Sequence, residues 1–247
     1  MHHIKDSHEF HIMDIDGHSV SFPLPIILWT ENGLVTFLSS EFDHDDSGNV
    51  IVEKKGQEFI KYHEKIFYAN NTVGDKYVTY DSAGNVTNKK PLDLSITKMV
   101  FSMFLSMLLL VLIFIATART YSKSKKGEPT GLGKFTEPLV MFIKDEVAMP
   151  MIGEKNYHKY MPFLLTLFFF IWINNVMGLI PFFPFSANLS GNIAFTFVLA
   201  AITFIITTIV ANKDYWKHIF WMPGIPVPMK LFLAPIEFLG IFIKPIS

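Results

Sequence analysis

The chain has 247 residues, of which 50% are hydrophobic and 25 are phenylalanine, and its formal net charge is −1. It contains no cysteine, which excludes disulfides and thiol chemistry, and it has no basic patch that would bind nucleic acid. Polar and apolar residues are segregated along the chain. This segregation indicates a membrane protein with several spans and a water-exposed domain.

The N-terminal part, residues 1–92, is predicted to be a small extracytoplasmic α+β domain. A hairpin is expected where two apolar runs, residues 10–15 and 18–29, flank the turn dipeptide Asp16-Gly17. Residues 1–95 hold 15 acidic side chains against 8 Lys and Arg, so this domain is expected to lie in water.

Two further elements of this domain are predicted from local pattern. Residues 77–80 and 86–88 flank turn residues 81–85 and indicate a second hairpin. Residues 53–68 have apolar side chains at helical spacing, broken only by Gly56, and predict a helix.

Three apolar runs are long enough to cross the hydrocarbon layer of a membrane, which takes about 20 helical residues. They cover approximately residues 96–118, 160–183 and 193–211. The stretch after Pro228 is expected to be a fourth membrane helix. The fold class is therefore an all-α polytopic membrane domain over residues 93–247, joined to the N-terminal domain.

The distribution of Lys and Arg predicts the orientation of the spans. Eight basic residues lie between the first two spans, in residues 119–159, whereas residues 184–192 carry no charge. Because basic loops stay in the cytoplasm, residues 119–159 and 212–228 are expected to be cytoplasmic. The N-terminal domain is then expected to be periplasmic, on the outer side of a cell inner membrane.

Within the basic loop, residues 135–152 are predicted to form a short helix on the cytoplasmic membrane surface. Apolar residues recur on one side of this stretch, and charged residues lie on another. Thr136 is expected to cap the helix, with Pro138 in its first turn. The alternative is a loop segment that packs on the helix ends.

Polar residues inside the apolar runs are candidates for an ion path. Four of them fall within about 60° on one helix and form a stripe: Asn192, Thr196, Thr203 and Thr207. Either helix packing or a hydrated path explains this stripe, and both interpretations stay open. Asn174 and Asn175 are adjacent in the second span, where interhelical packing is the favoured interpretation.

The acid in the last apolar stretch is the strongest functional signal. Glu237 lies in an apolar helix, where an ionised carboxylate at the membrane centre costs roughly 2.5 to 3.5 kcal/mol. Lys244 is seven residues further on, about 10 Å along the helix axis, so the two do not pair directly. A desolvated carboxylate with a raised pKa is suited to exchanging protons. The alternative is that Glu237 pairs with another helix and Lys244 extends to the membrane surface.

Other motifs indicate no cofactor and no metal. The acidic run at residues 43–48 lacks the glutamate that completes a calcium loop, because the twelfth position is Lys54. The histidines near the N-terminus are expected to be solvated: His2, His3, His8 and His11. A nucleotide loop, a nucleophile elbow and a zinc signature are all missing from the sequence.

Several segments together resemble subunit a of the rotary F-type ATP synthase. They are FTEP at residues 135–138, NNVMGLIP at 174–181, SGNIAFT at 190–196 and IEFLGIFIKPIS at 236–247. The resemblance covers roughly residues 96–247. The N-terminal domain is more loosely similar to that of family members from Bacteroidota-like bacteria.

This resemblance implies two aqueous half-channels beside a ring of subunit c, through which protons pass while other subunits catalyse ATP synthesis. It implies that Glu237 lines a half-channel, with Asn192 and Thr196 in or near a polar route. The family often has Asp where Asn192 stands, and an amide cannot exchange protons. Subunit c, the peripheral stalk subunit b and membrane lipid are the implied partners. Whether protons or sodium ions pass is left open.

The resemblance also predicts that the chain is a fragment. The family's arginine falls within about one turn after Ser247, and Arg119 lies too far away to replace it. Two alternatives to the resemblance remain. A secondary ion transporter would favour an internal repeat, which the sequence does not show, and a membrane-anchored sensor or scaffold would not explain Glu237.

Overall fold

The computed structural model describes residues 6–15, 18–70, 77–123, 128, 130–180, 184–185, 187, 189–222 and 224–243. The strands are β1 (Glu9–Ile15), β2 (His18–Pro23), β3 (Pro25–Thr30), β4 (Gly33–Leu38), β5 (Val52–Lys54), β6 (Gln57–Tyr62), β7 (Lys65–Tyr68) and β8 (Leu92–Asp93). The α-helices are α1 (Lys98–Lys123), α2 (Leu132–Phe142), α3 (Met149–Ile152), α4 (Tyr157–Gly178), α5 (Ile193–Val210), α6 (Lys213–Phe220) and α7 (Val227–Ile243). The chain divides into two compact units, residues 1–189 and 190–247.

The first predicted hairpin is present as the antiparallel pair β1–β2. Its turn dipeptide, Asp16-Gly17, lies outside the described residues. The second apolar run does not continue as one strand, because β2 ends at Pro23 and β3 begins at Pro25. Between these prolines Leu24 is buried, and its N–H donates to the His8 carbonyl over 3.2 Å. Two prolines without N–H donors break the ladder here, and β3 pairs instead with β4 and β8.

The predicted helix over residues 53–68 is wrong. This stretch forms the antiparallel meander β5–β6–β7. Two-residue turns join the strands, and all four turn residues have positive φ: Lys55 52°, Gly56 70°, His63 48° and Glu64 60°. Positive φ at both central residues matches the right-handed twist of a hairpin and is incompatible with a right-handed helix. The described residues of the N-terminal domain contain no α-helix, so its predicted α+β class is corrected to β with one 3-10 turn, Ser39–Phe42.

The predicted second hairpin is reduced to a single bridge between Tyr80 and Val86. The turn between them is held by the Asp81 carboxylate, which accepts hydrogen bonds from the N–H groups of Ala83 and Asn85 over 2.9 and 2.7 Å. An aspartate bonded to the following backbone in this way is a common turn former.

The main core of the domain lies between the sheet β4–β3–β8 and the sheet β5–β6–β7. It contains Ile26, Leu28, Val35, Phe37, Phe42, Val52, Phe59 and Ile66. Phe59 is fully buried at its centre, and its ring lies 6.3 Å from that of Phe37 and 5.3 Å from that of Tyr68. Alternation along β3 therefore points Ile26 and Leu28 inward and leaves Trp29 exposed.

His8 is a buried histidine between two carboxylates. Its Nδ1 is 3.8 Å from Glu64 and its Nε2 is 3.4 Å from Asp93, and neither ring nitrogen has a hydrogen bond among the described residues. Burial lowers the pKa of His8, but the attraction of the two carboxylates outweighs it and raises the pKa to about 9. The protonated ring thus ties the N-terminal segment to β8 and to the β6–β7 turn.

The pH dependence of this contact has a definite sign. Because the folded pKa of about 9 exceeds the ordinary value of 6.5, the stabilisation is complete below pH 6.5 and is lost as the pH rises through 9. We expect the thermal midpoint of the N-terminal domain to fall by about 5 °C or more between pH 6.5 and 9 in calorimetry of the solubilised chain. The His8→Gln variant should have a lower thermal midpoint at pH 6.5, and this midpoint should fall less between pH 6.5 and 9. An equal decline in both proteins would contradict the assignment.

Three helices of the described residues are long and apolar enough to cross a membrane: α1, α4 and α5. This agrees with the three predicted spans, although α4 ends at Gly178, five residues before the predicted end. Residues 181–183, the last of that predicted span, lie outside the described residues. Helix α7 is a further apolar helix of 17 residues, where a fourth membrane helix was expected.

The helix predicted over residues 135–152 is present but begins earlier and is irregular, and its predicted place on the membrane surface stays a prediction. Helix α2 starts at Leu132, and a π-helical segment, Ile143–Ala148, joins it to α3. The predicted cap at Thr136 is wrong, because Thr136 is inside α2 and buried. Its hydroxyl donates to the Leu132 carbonyl, and its Oγ1 is 3.2 Å from the Oγ1 of Thr117 on α1. Pro138 also lies inside α2, beyond its first turn.

Aromatic contacts join the helices of the first unit. Phe114 on α1 meets Phe169 on α4 edge to face, with ring centroids 4.9 Å apart. Phe135 on α2 lies 6.0 Å from Trp172 on α4. Together with the buried Thr117–Thr136 pair, these contacts pack α1, α2 and α4 against one another.

Candidate functional site

Glu237 lies on the less exposed face of α7. The half-buried positions of this helix recur at Leu233, Ala234, Glu237, Gly240 and Ile241, three or four residues apart. This spacing defines one helix face, and Glu237 is at its centre. The carboxylate therefore does not lie on the most exposed side of the helix, as a solvent-facing glutamate would.

The backbone around Glu237 is adapted in two ways. Pro235, inside the helix, has no N–H to donate to the Leu231 carbonyl, so one hydrogen bond of the helix is missing in the turns before the acid. Gly240 leaves open space one turn after it, since a Cβ added there would meet nothing within 4 Å. The missing backbone hydrogen bond and the open space at Gly240 lie within about two turns of the carboxylate, where water or a neighbouring group can use them.

Helix α7 is held against α6 inside the second unit. The rings of Phe220 and Phe238 lie 5.9 Å apart, and Trp216 stacks on Phe220 at 6.2 Å. At the start of α7 the Lys230 ammonium lies 4.7 Å above the ring of Trp221. Aromatic side chains thus connect α6 with α7 where the two helices meet.

Among the residues that the structure describes, none forms an ion pair with Glu237. Lys244 lies outside the described residues, so its predicted spacing from Glu237 remains a prediction. The other candidates fall into different units: Asn174 and Asn175 belong to the first, whereas Asn192, Thr196 and Glu237 belong to the second.

The threonine stripe of α5 is exposed, and each hydroxyl donates to its own helix. Thr196 donates to the Asn192 carbonyl over 3.3 Å, Thr203 to Leu199 over 3.0 Å and Thr207 to Thr203 over 2.8 Å. A hydroxyl whose proton is used in this way can face lipid or a neighbouring helix at little cost, and its oxygen can still accept a hydrogen bond. Both interpretations of the stripe therefore stand.

Asn192 has a structural role at the start of α5. Its backbone is extended, and its Oδ1 accepts hydrogen bonds from the N–H groups of Ala194 over 2.9 Å and Phe195 over 3.4 Å. This is an ordinary N-cap, which the sequence pattern could have indicated. The cap uses the amide oxygen, and it does not test whether Asn192 lies in or near a polar route.

The two adjacent asparagines of α4 differ in exposure. Asn174 is buried and donates to the Phe170 carbonyl over 2.7 Å, whereas Asn175 is exposed and donates to the Ile171 carbonyl over 2.9 Å. Asn175 lines an apolar surface groove of about 360 Å³ together with Trp172, Val176 and others. The favoured interpretation, packing, fits the burial of Asn174, whereas Asn175 is exposed in this groove.

Sequence reasoning missed two buried serines on α1. Ser102 and Ser106 lie one turn apart after Lys98 and are almost completely buried. Ser106 donates to the Met103 carbonyl, and the hydroxyl of Ser102 has no partner among the described residues. Residues 98, 102 and 106 are four apart and form a polar stripe on one face of α1. A search for polar residues at helical spacing, which found the stripe in the third span, would also have found this one in the first.

The fold and these sites define a multi-pass helical membrane protein with an acid in an apolar helix and an N-terminal β domain. A sequence model of the ATP synthase A chain family matches residues 100–247. The chain belongs to this family. Residues 1–94 match a second family model, described as a domain of unknown function (DUF8433).

Curated relatives agree with this assignment. ATP synthase subunit a of Anaeromyxobacter dehalogenans is 32% identical over 216 residues, which cover 84% of this chain and 54% of the relative. The subunit a proteins of Chlorobium phaeobacteroides (strain BS1) and Myxococcus xanthus are 40% and 39% identical over 63% of this chain, covering 46% and 51% of those relatives. The chain thus spans about half the length of the curated relatives it matches.

Proposed function

We propose that this chain forms part of the ion path of an F-type ATP synthase, with protons as the transported ion. The observation that carries the proposal is Glu237, at the centre of the less exposed face of an apolar helix, in a chain of the ATP synthase A chain family. Lipid excludes protons, and a carboxylate bordered by water supplies a site where one can be held and passed on. The membrane potential drives the step with about 2.3 kcal/mol per charge per 100 mV.

The proposed surroundings follow from the same assignment. A ring of c subunits would lie beside the membrane domain, residues 93–247, and peripheral stalk subunit b would hold the chain in place. The N-terminal domain, residues 1–92, would lie in the periplasm of a cell with an inner membrane. The nucleotide chemistry would belong to other subunits, so the role of this chain is conduction and not catalysis.

The other candidate residues have proposed supporting roles. Thr196 and Asn175 present polar groups on exposed helix faces, where they would border the water-filled route. Asn192 and Asn174 would stabilise the helices beside this route, because their side-chain amides form hydrogen bonds with the helix backbone. Lys244 is proposed to lie near the same route on the strength of the sequence pattern alone.

Cysteine labelling tests the proposal directly, because the chain has no cysteine of its own. In the full-length protein within the assembled complex, Glu237→Cys should react with a small water-soluble thiol reagent about tenfold faster than Leu239→Cys. The reason is that only a hydrated thiol ionises and reacts readily. Leu239 is a matched control because it lies two residues away on the exposed apolar side. Equally slow labelling at both positions would refute a hydrated path at Glu237.

A further inference from the structure

The β1–β2 hairpin contacts the first membrane helix, α1, in the first turn of that helix. Phe10 on β1 and Phe22 on β2 both contact Phe101, with ring centroids 5.4 and 6.3 Å away. Phe101 is the fourth residue of α1. Two aromatic side chains of the N-terminal domain therefore lie level with the first turn of a membrane-spanning helix.

Backbone hydrogen bonds fix this arrangement. The segment before β1 supplies acceptors for the first N–H groups of α1: Lys98 donates to the Ser7 carbonyl over 2.8 Å, and Met99 donates to the Asp6 carboxylate over 3.0 Å. The Lys98 ammonium lies 5.7 Å above the ring of Phe10. The hairpin and the segment before it are thus attached to the helix by hydrogen bonds to its first N–H groups and by ring contacts.

The thickness of the hydrocarbon layer determines how deep in the membrane these contacts lie. A helix needs about 20 residues to cross about 30 Å. Arg119 is the first charged residue after Lys98 in α1 and marks one end of the apolar stretch. Counting about 20 residues back from Arg119 reaches the region of Met99 and Val100. Phe101, and with it Phe22, therefore lies at the boundary between hydrocarbon and headgroups.

The hairpin has one apolar side and one polar side. Val20 and Phe22 are 39% and 42% exposed and lie on the same side of β2. Between them Ser21 points the other way and donates to the Glu9 carboxylate over 3.0 Å, which also meets His44 at 2.8 Å. The charged groups around Ser21 therefore lie away from the apolar side.

We propose that the Val20–Phe22 side of the β1–β2 hairpin rests in the lipid interface beside α1. Lipid is the occupant that fits, because Phe22 packs on a residue at the end of a span and the two exposed side chains that the structure describes on this side of β2, Val20 and Phe22, are both apolar. Phenyl and valine side chains of this kind bury themselves at the boundary between headgroups and acyl chains. This inference goes beyond ion conduction and needs only that α1 crosses the membrane.

Spin labels on single cysteines test the proposal in the full chain. Phe22→Cys and Val20→Cys are labelled in nanodiscs of phosphatidylethanolamine and phosphatidylglycerol, and collisions with oxygen are compared with collisions with a water-soluble nickel chelate. Labels in the interface should collide more with oxygen, which concentrates in lipid. Tyr80→Cys is the control, because Tyr80 is equally exposed but belongs to another part of the domain, and its label should favour the chelate.

The outcomes separate lipid from the alternatives. Chelate-dominated collisions at both hairpin positions would overturn the proposal. A second outcome would also overturn it: labels that are open to water in nanodiscs but shielded from both reagents in the complete ATP synthase. In that case a partner subunit, and not lipid, would cover this side of the hairpin. Val20→Cys decides the matter if Phe22→Cys disturbs the chain, because it leaves the Phe22–Phe101 contact intact.

Discussion

Replacing Glu237 with Gln in the complete ATP synthase is expected to lower the initial rate of ATP-driven proton uptake by about tenfold or more. Glutamine keeps the size of the side chain and can still form hydrogen bonds, but it cannot take up and release a proton. The loss therefore reports on proton exchange and not on packing. The measurement is the quenching of a pH-sensitive acridine dye in inverted membrane vesicles that contain the mutant complex.

Two further variants control this experiment. Thr208→Val removes a hydroxyl that already donates to the Phe204 carbonyl of its own helix and lies outside the threonine stripe, so proton uptake should change little. Glu237→Asp keeps an acid at the site and should retain more activity than Glu237→Gln. If Glu237→Gln pumps at the rate of the unmodified complex, Glu237 is not in the proton path.

Phe59→Ala is expected to destabilise the N-terminal domain by about 3 to 5 kcal/mol, the usual cost of removing a buried phenyl ring. Phe59 is fully buried and joins the two sheets of the main core through its contact with Phe37 on β4, and its ring also contacts Tyr68 on the adjacent strand β7. Hydrogen exchange of the complete chain measures the effect. Amides of β3 and β6 should exchange about two to four orders of magnitude faster, because the domain opens more often.

A matched truncation on the exposed side of the same domain provides the control. Leu34→Ala also removes a large apolar side chain, but Leu34 is 45% exposed and faces away from the core. Its effect should stay within about 1 kcal/mol. Comparable exchange in both variants would mean that the core around Phe59 does not hold the two sheets together.

The spans could be predicted from sequence because the membrane imposes a simple requirement. About 20 consecutive apolar residues must form a helix to satisfy their backbone groups in lipid, whatever their neighbours are. The predicted runs at 96–118 and 193–211 correspond to α1 and α5 with shifts of only a few residues. The end of the second helix, at Gly178, could not be predicted in this way, because the apolar run continues past it.

The N-terminal domain was harder to predict because its signals are local and ambiguous. Phe59, Tyr62 and Ile66 suit one face of a helix, but Phe59 and Ile66 also suit the core side of adjacent strands. The deciding factor is the pair of tight turns at 55–56 and 63–64, where three non-glycine residues adopt positive φ. Composition did not reveal the turn at His63-Glu64, because neither residue is a typical former of such turns.

By itself, the sequence determined the membrane class, the three spans, the place of Glu237 within an apolar helix and the family to which the chain belongs. These depend on residue types and on distances along one helix. The tertiary structure alone decided that residues 53–68 form strands, that Thr136 is buried against Thr117 and that Phe22 packs on Phe101. Such contacts join segments far apart in the chain, and whether a side chain is buried depends on which segments meet it.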